Sequence, residues 1–335
     1  MTKNEFSYEK ILGHPTKLGC FQKDINFAPV SMEFSISNDC NNNCVWCNDR
    51  KVRGLYDGFL EFDIIKQALV NMKSYGVKAV TFEGGGEPTM HPNFSEVIEF
   101  AKGLDFDIGI ITNGTLINEP LAKVIAGCCK WCRVSLDAGS KRSYNFLHKN
   151  NAFDAVIDGL RFMIKYREGD FKVGVSYIVH EDNSHECFNC AKLLEKIGVD
   201  YVQFKPLITN GVFEPFDKER MDNINTQLAN TAFKVYVSGS NATKQCYDFC
   251  HAHRFSGQID AQGNVNLCCN LGYRQQLNFG NLHDESFIEI WKGKKRQEVI
   301  NKVEQLGFKD KCPVCRFHST NFLLNKIKKE NNNFI

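Results

Sequence analysis

The sequence contains no apolar run approaching the roughly 20 residues of a membrane-spanning helix. Its amino end, Met1-Thr-Lys-Asn-Glu-Phe6, lacks the apolar core of a secretory signal. Net charge is nearly absent: 41 basic against 39 acidic residues leave +2. That argues against a broad nucleic-acid footprint, which shows as a strongly basic surface. These absences together predict a cytoplasmic protein that meets neither membrane nor nucleic acid.

Cysteine, by contrast, is in excess, with 15 in 335 residues. An odd count, close CxxC pairs and no export signal speak against a disulfide framework and for metal binding. Many of the thiols are still expected to be core residues, since free cysteine is among the most buried side chains. Cys128, Cys129 and Cys132, and the pair Cys187 and Cys190, are read that way, because a lone CxxC is weak evidence for a metal.

The length suits one large domain and a smaller one. Residues 1–30 have little periodicity, with turns marked at Gly13-His14-Pro15 and Ala28-Pro29. They are expected to be a lead-in outside the first strand, too short for a peptide-binding winged-helix module. From residue 31 the patterns alternate. Short apolar runs at 32–36, 78–82, 106–111, 132–136, 172–179 and 200–205 read as strands. Amphipathic stretches near 61–75, 94–103, 119–127, 153–167, 184–197 and 217–230 read as helices, with Asn118 and Ser184 as N-caps. Such βα units predict an α/β fold with a parallel sheet and helices outside. Six units are too few for a closed eight-stranded barrel. A curved, partly open (βα)6 barrel fits best; a flat doubly wound sheet is the rival.

Either architecture puts the ligand site at the carboxyl ends of the strands. One rim would then carry Cys40-Asn-Asn-Asn-Cys44-Val-Trp46-Cys47, Gly84-Gly85-Gly86-Glu87, Thr112-Asn113-Gly114, Ser135-Leu-Asp137 and Lys205-Pro206. Three thiolates spaced CxxxCxxC can hold three irons of a 4Fe–4S cube and leave the fourth open. Taken alone, the spacing favours a cluster but also allows a zinc site lacking its fourth ligand, or chance clustering in a cysteine-rich chain. Three glycines let backbone approach a ligand closely, or simply make a tight turn.

A CxxxCxxC loop after a first strand, with an aromatic before its last cysteine, resembles the signature of the radical S-adenosylmethionine (radical SAM) superfamily. Gly84-Gly85-Gly86-Glu87-Pro88, after Ala79-Val-Thr-Phe82, resembles that family's glycine-glycine-glutamate motif. The likeness covers about residues 30–210 and has a second match in the C-terminal third. It implies the partial (βα)6 barrel, with Cys40, Cys44 and Cys47 on three irons and SAM chelating the fourth. One electron then cleaves SAM to methionine and a 5′-deoxyadenosyl radical, which takes a hydrogen atom from substrate. By the same likeness Trp46, Gly84, Gly85 and Gly86 lie at SAM, and Glu87 receives its amino group. Asn113 and Ser135 would meet ribose or methionyl groups, though ordinary loop capping explains them as well. Asp137 and Lys205 would line the substrate pocket or pair with other charges.

Composition changes near residue 233, where Phe233–Val237 ends the alternation. A hairpin is expected over 255–269, turning at Ala261-Gln-Gly263, then a helix over 285–306 and a frayed polar tail from 326. This divides the chain into a lead-in (1–30), a core (31–232), a small α+β domain (233–325) and a tail (326–335). Cys250, twelve residues, Gly263, four residues, Cys268 and the distant Cys312-Pro-Val-Cys315 form a four-thiolate set. Closing the long gap costs only about 3 kcal/mol plus a constant. Structural metal binding is worth on the order of 10 kcal/mol, and zinc would satisfy the same four thiols. The pattern resembles the twitch domain, the shortened relative of the SPASM domain, and that likeness implies one auxiliary 4Fe–4S cluster on Cys250, Cys268, Cys312 and Cys315. Cys246 is the alternative to Cys250, and Cys269 a neighbour.

The resemblance implies two clusters and SAM as cofactors and a flavodoxin- or ferredoxin-type electron donor as partner. The expected reaction is dehydrogenation of a small molecule such as a sugar or cyclitol alcohol. Epimerisation or cross-linking of a ribosomal peptide is the alternative, and a non-catalytic zinc scaffold is the alternative of another class.

Overall fold

The computed structural model describes residues 6–47, 49–50, 58–209, 212–213, 218–228, 233–237, 249–269, 277–305 and 315–329. Helix α1 (Pro15–Gln22) precedes strand β1 (Ser31–Phe34). The βα units follow in order: α2 (Phe62–Tyr75), β2 (Ala79–Phe82), α3 (Phe94–Gly103), β3 (Asp107–Thr112), α4 (Glu119–Cys128) and β4 (Trp131–Ser135). Then come α5 (Lys141–His148), α6 (Phe153–Lys165), β5 (Lys172–Val179), α7 (Cys187–Ile197) and β6 (Tyr201–Pro206). Strands β1 to β6 are parallel and lie side by side in chain order, so the α/β reading holds.

A two-stranded ribbon, β7 (Ile208–Thr209) with β8 (Val212–Phe213), and helix α8 (Lys218–Leu228) lead to β9 (Lys234–Val237). Residues 233–237 do not end the alternation: β9 adds a seventh parallel strand beside β6. On the opposite edge, β10 (Ser256–Ile259) pairs parallel with β1 and turns antiparallel into β11 (Asn264–Asn266) and β12 (Asn278–Asn281). Helices α9 (Phe287–Lys292), α10 (Lys294–Gln305) and α11 (His318–Lys329) complete the described chain.

Local chemistry explains the elements. Ile65, Ala68, Leu69 and Met72 recur at helical spacing on the buried face of α2, which stops at Gly76 with φ of +105°. Asn118 caps α4 by accepting the Leu121 N–H at 3.0 Å. Ser184 instead opens a 3-10 turn, and α7 begins at Cys187. Pro15 starts a helix rather than a turn, as its fixed φ allows at a first helical position. The expected helix over 285–306 is divided at Gly293, whose extended backbone breaks it. Part of the expected tail belongs to α11, where Leu324 joins Ile11, Phe21 and Phe255 in a satellite core; residues 330–335 lie outside the described residues.

The strands have two unlike faces. Met32, Phe34, Val80, Phe82, Ile108, Ile110, Val134, Val175 and Phe204 point outward into the helices and are fully buried. Burying each such side chain contributes about 1.5–3 kcal/mol. The alternate residues, Glu33, Thr81, Arg133, Ser135, Ser176, Gln203 and Lys205, face the other way. Glu83, just beyond β2, and Lys205 on β6 feel one another's charge. Four strand spacings would hold them about 19 Å apart in a flat sheet. The sheet therefore curls, and its polar face lines a lumen.

Aromatic rings floor that lumen. Phe6 meets Tyr201 and Tyr236 edge-on, at 5.5 and 5.1 Å between centroids. A Cβ at Gly174 would lie 2.0 Å from the Tyr201 ring, and one at Gly109 2.2 Å from the Trp131 ring. Each ring lies over the adjacent strand because the paired position there is glycine.

Candidate active site

The loop after β1 carries Cys40, Cys44 and Cys47, all partly exposed and none in a disulfide. The end of α5 holds one side of it. The N–H groups of Asn43 and Val45 donate to the carbonyls of His148 and Leu147 at 3.0 and 2.9 Å. Asn150 Nδ2 donates to Asn42 Oδ1 at 2.6 Å. The glycine turn holds the other side: Gly86 N–H donates to the Ser37 carbonyl at 3.0 Å, and Glu87 N–H to the Asp39 carbonyl at 2.7 Å. A Cβ at Gly86 would sit 2.1 Å from the Asp39 carbonyl oxygen. The two backbones touch, and only glycine permits it.

Glu87 is buried, and burial raises its pKa, opposed by donated hydrogen bonds. Its Oε1 accepts from Thr89 N–H, Thr89 Oγ1 and Thr112 Oγ1 at 3.0, 2.5 and 2.5 Å. Its Oε2 accepts Asn113 N–H at 2.6 Å, which leaves that oxygen one further lone pair. Asn113 faces the cysteine loop: Nδ2 lies 2.8 Å from Asn41 Oδ1 and 3.9 Å from Cys40 Sγ. Trp46 lies against the His180 ring, 5.7 Å between centroids. Ser135 ends β4 on the lumen face.

Among the described residues, no three His, Cys, Asp or Glu side chains are drawn into a ready-made metal group. The fit rests on the donor set, three accessible thiols on one loop pressed against a side-chain-free turn, which suits a cube with one open iron. Cys44 Sγ lies 3.1 Å from Nδ1 of the buried His148, whose Nε2 is 2.8 Å from the Leu136 carbonyl. A neutral imidazole donating at Nε2 presents a lone pair at Nδ1 to that thiol. Sequence reading missed α5 and this histidine. Lys141-Arg-Ser in its first turn masks the stripe Tyr144, Leu147, His148.

The lumen beneath this loop is charged. Burial pushes Glu83 up to about 7, opposed by the nearby Arg133 and Lys205. Burial and then the Arg133 charge push Lys205 down to about 8, against Asp137 and Glu83. Asp137, raised by burial, accepts the Ile178 N–H at 2.7 Å and stands 3.8 Å from His148. Glu83, Arg133 and Gln203 were not singled out from the sequence, although a charged or amide residue between apolar neighbours in a strand marks a polar face.

In the C-terminal third, Asn321 is fully buried, and its Oδ1 accepts the Ala252 N–H at 2.8 Å. Its Nδ2 lies 3.7 Å from Cys250 Sγ and 3.9 Å from Cys315 Sγ, so one amide brings two of the expected ligands together. Cys268 follows β11, and like Cys250 and Cys315 it is partly exposed. Cys246 and Cys312 lie outside the described residues. Arg316, next to Cys315, pairs with Glu33 on the lumen face of β1. Cys132, Cys187 and Cys190 are fully buried and Cys129 nearly so, as core thiols should be.

Residues 34–194 match the family model described as the Radical SAM superfamily, and residues 250–316 match SPASM, an iron–sulfur cluster-binding domain. The chain belongs to the radical SAM superfamily and carries a SPASM/twitch-type domain on its C-terminal side. That pairing implies a SAM-binding 4Fe–4S cluster and an auxiliary one. Among curated relatives, the AdoMet-dependent heme synthase of Methanosarcina barkeri is 24% identical over 321 residues, covering 87% of this chain and 89% of the relative. Streptococcus suis SuiB bound to S-adenosylmethionine superposes with a TM-score of 0.65 at 15% identity, covering 87% of this chain and 72% of SuiB. Native anSMEcpe with bound AdoMet gives 0.64 at 18%, covering 91% and 92%. At such identities these two structures share the fold. No described helix is long and apolar enough to cross a membrane.

Proposed function

We propose that this radical SAM enzyme abstracts a hydrogen atom from a small polar molecule held in the lumen and completes its two-electron oxidation. The observation that carries this reading is the cysteine loop, docked on a glycine turn above a lumen lined with charge. Cys40, Cys44 and Cys47 would hold the cluster that, when reduced with SAM bound, supplies a 5′-deoxyadenosyl radical. Gly84, Gly85 and Gly86 give SAM a side-chain-free wall, and the free lone pair on Glu87 Oε2 can accept its amino group. Trp46, Asn113 and Ser135 lie on the same rim. Cys250, Cys268, Cys312 and Cys315 would hold the auxiliary cluster, leaving it no open iron for substrate. Its role is then to accept the second electron. The ion pair between Arg316 and Glu33 supports this, since it draws the segment bearing Cys315 against the lumen wall. A flavodoxin- or ferredoxin-type donor would supply the first electron.

The test uses anaerobically reconstituted protein, reduced in the presence of SAM. About eight irons per chain and release of 5′-deoxyadenosine are expected, with none released by Cys44→Ala. Zinc in place of iron, or no 5′-deoxyadenosine, overturns the reading. With a substrate in hand, loss of two hydrogens marks dehydrogenation. Gain of one solvent deuterium without loss would mark epimerisation and overturn the oxidative assignment.

A further inference from the structure

The charges facing the lumen fall into two groups. Glu33 pairs with Arg316, while Asp137 accepts the Ile178 N–H and lends its charge to Lys205. Glu83, Arg133 and Lys205 remain, and among the described residues none of them has an ion-pair partner within 4 Å. The Arg133 guanidinium is held from beneath, 5.7 Å from the Trp131 ring and 5.8 Å from Phe6. Among the described residues its side chain makes one hydrogen bond, to Gln203 Oε1 at 3.3 Å, and its buried Nε has no partner. A fixed cation with unused donors is set up to receive an anion.

We infer that Arg133 and Lys205 form a carboxylate-binding site, so that the substrate is a small organic acid seated acid-end down. Glu83 and Asp137 balance the two cations in sum, but neither forms an ion pair with Arg133, so its guanidinium donors stay open to a ligand carboxylate. The aromatic floor closes the site below Arg133. An acid anchored there can extend only toward the rim, where its far carbons meet the cysteine loop. Glu83 opposes a second anion and limits the site to one. Burial pushes Glu83 up and Lys205 down by more than the opposite charges around them offset. This inference rests on the proposed radical reaction for what happens to the acid, but not for its binding.

The experiment is calorimetric titration of the reconstituted holoenzyme, with SAM, by three four-carbon probes that differ in charge: succinate, succinamide and butane-1,4-diamine. Succinate should bind about tenfold or more tightly than succinamide, as a charge-assisted hydrogen bond requires, and the diamine should bind least. Arg133→Gln should weaken succinate about tenfold, and Lys205→Met, read in parallel, should weaken it as well. Glu83→Gln should tighten it, a change that general loss of structure cannot produce. Iron content and cluster absorption confirm that each variant is folded. Equal binding of acid and amide, preference for the diamine, no saturable succinate binding, or full affinity in both Arg133→Gln and Lys205→Met overturns the inference. Because binding is read without turnover, absence of 5′-deoxyadenosine would refute the radical reading and leave this result standing.

Discussion

The same six strands present two faces with opposite tasks. Outward, Phe34, Phe82, Val134 and Val175 fill a continuous core with the helices. Inward, Arg133, Ser176, Gln203 and Lys205 line an enclosed polar space, so the usual rule that parallel strands are apolar on both sides fails here. One face supplies stability and tolerates no gaps, while the other holds unpaired charge at some cost in stability. Function is found where the strands depart from the pattern that folds them.

Substitution can break that contrast. The largest effect is expected outside: Phe82→Ala should cost about 3–5 kcal/mol in urea unfolding, through lost burial and the cavity left behind. Ser176→Ala on the inner face should stay within about 1 kcal/mol. Equal costs would mean that the inner face is packed core. Next is the floor, the one inner layer where shape rules. Gly174→Ala drives a methyl into the Tyr201 ring and should cost about 1–3 kcal/mol; a neutral result would show that ring free to move aside.

The smallest effect is a pH slope. Burial raises Glu83 from 4.5 to about 7, so the folded state holds a proton that the unfolded chain has released. The stabilisation from Glu83 is whole below about pH 4.5 and is lost as pH rises through 7. Wild-type unfolding free energy should therefore fall more between pH 5 and pH 7.5 than that of Glu83→Gln. Parallel slopes would place Glu83 in ordinary solvent. Lys205, lowered from 10.5 to about 8, acts in the opposite sense: its contribution is present above pH 10.5 and fades as pH falls through 8.

Much of this architecture was legible in the chain. Apolar runs located β1 to β6 because outward burial demands them, and the helical stripes of α2, α3, α4 and α6 were equally plain. The cysteine loop and the glycine turn could be placed on one rim from topology alone. Two things could not be read. Contacts between distant segments, such as Asn321 with Cys250 and Cys315, or Arg316 with Glu33, have no local signature. The direction of curvature decides whether Glu83 and Lys205 feel one another's charge, and periodicity says nothing of curvature. Helix α5 escaped for a third reason: eight residues with a basic first turn hide a short apolar stripe.

Pairing of β10 with β1 reaches beyond the clusters. Severed from its last third, the molecule would bare the peptide groups of Ser31–Phe34 as a raw border, ready to recruit the same border on another copy. The segment that brings Cys268 into place is also the hem that keeps this sheet from unravelling into its neighbours, so the chain should not survive being cut into two soluble halves.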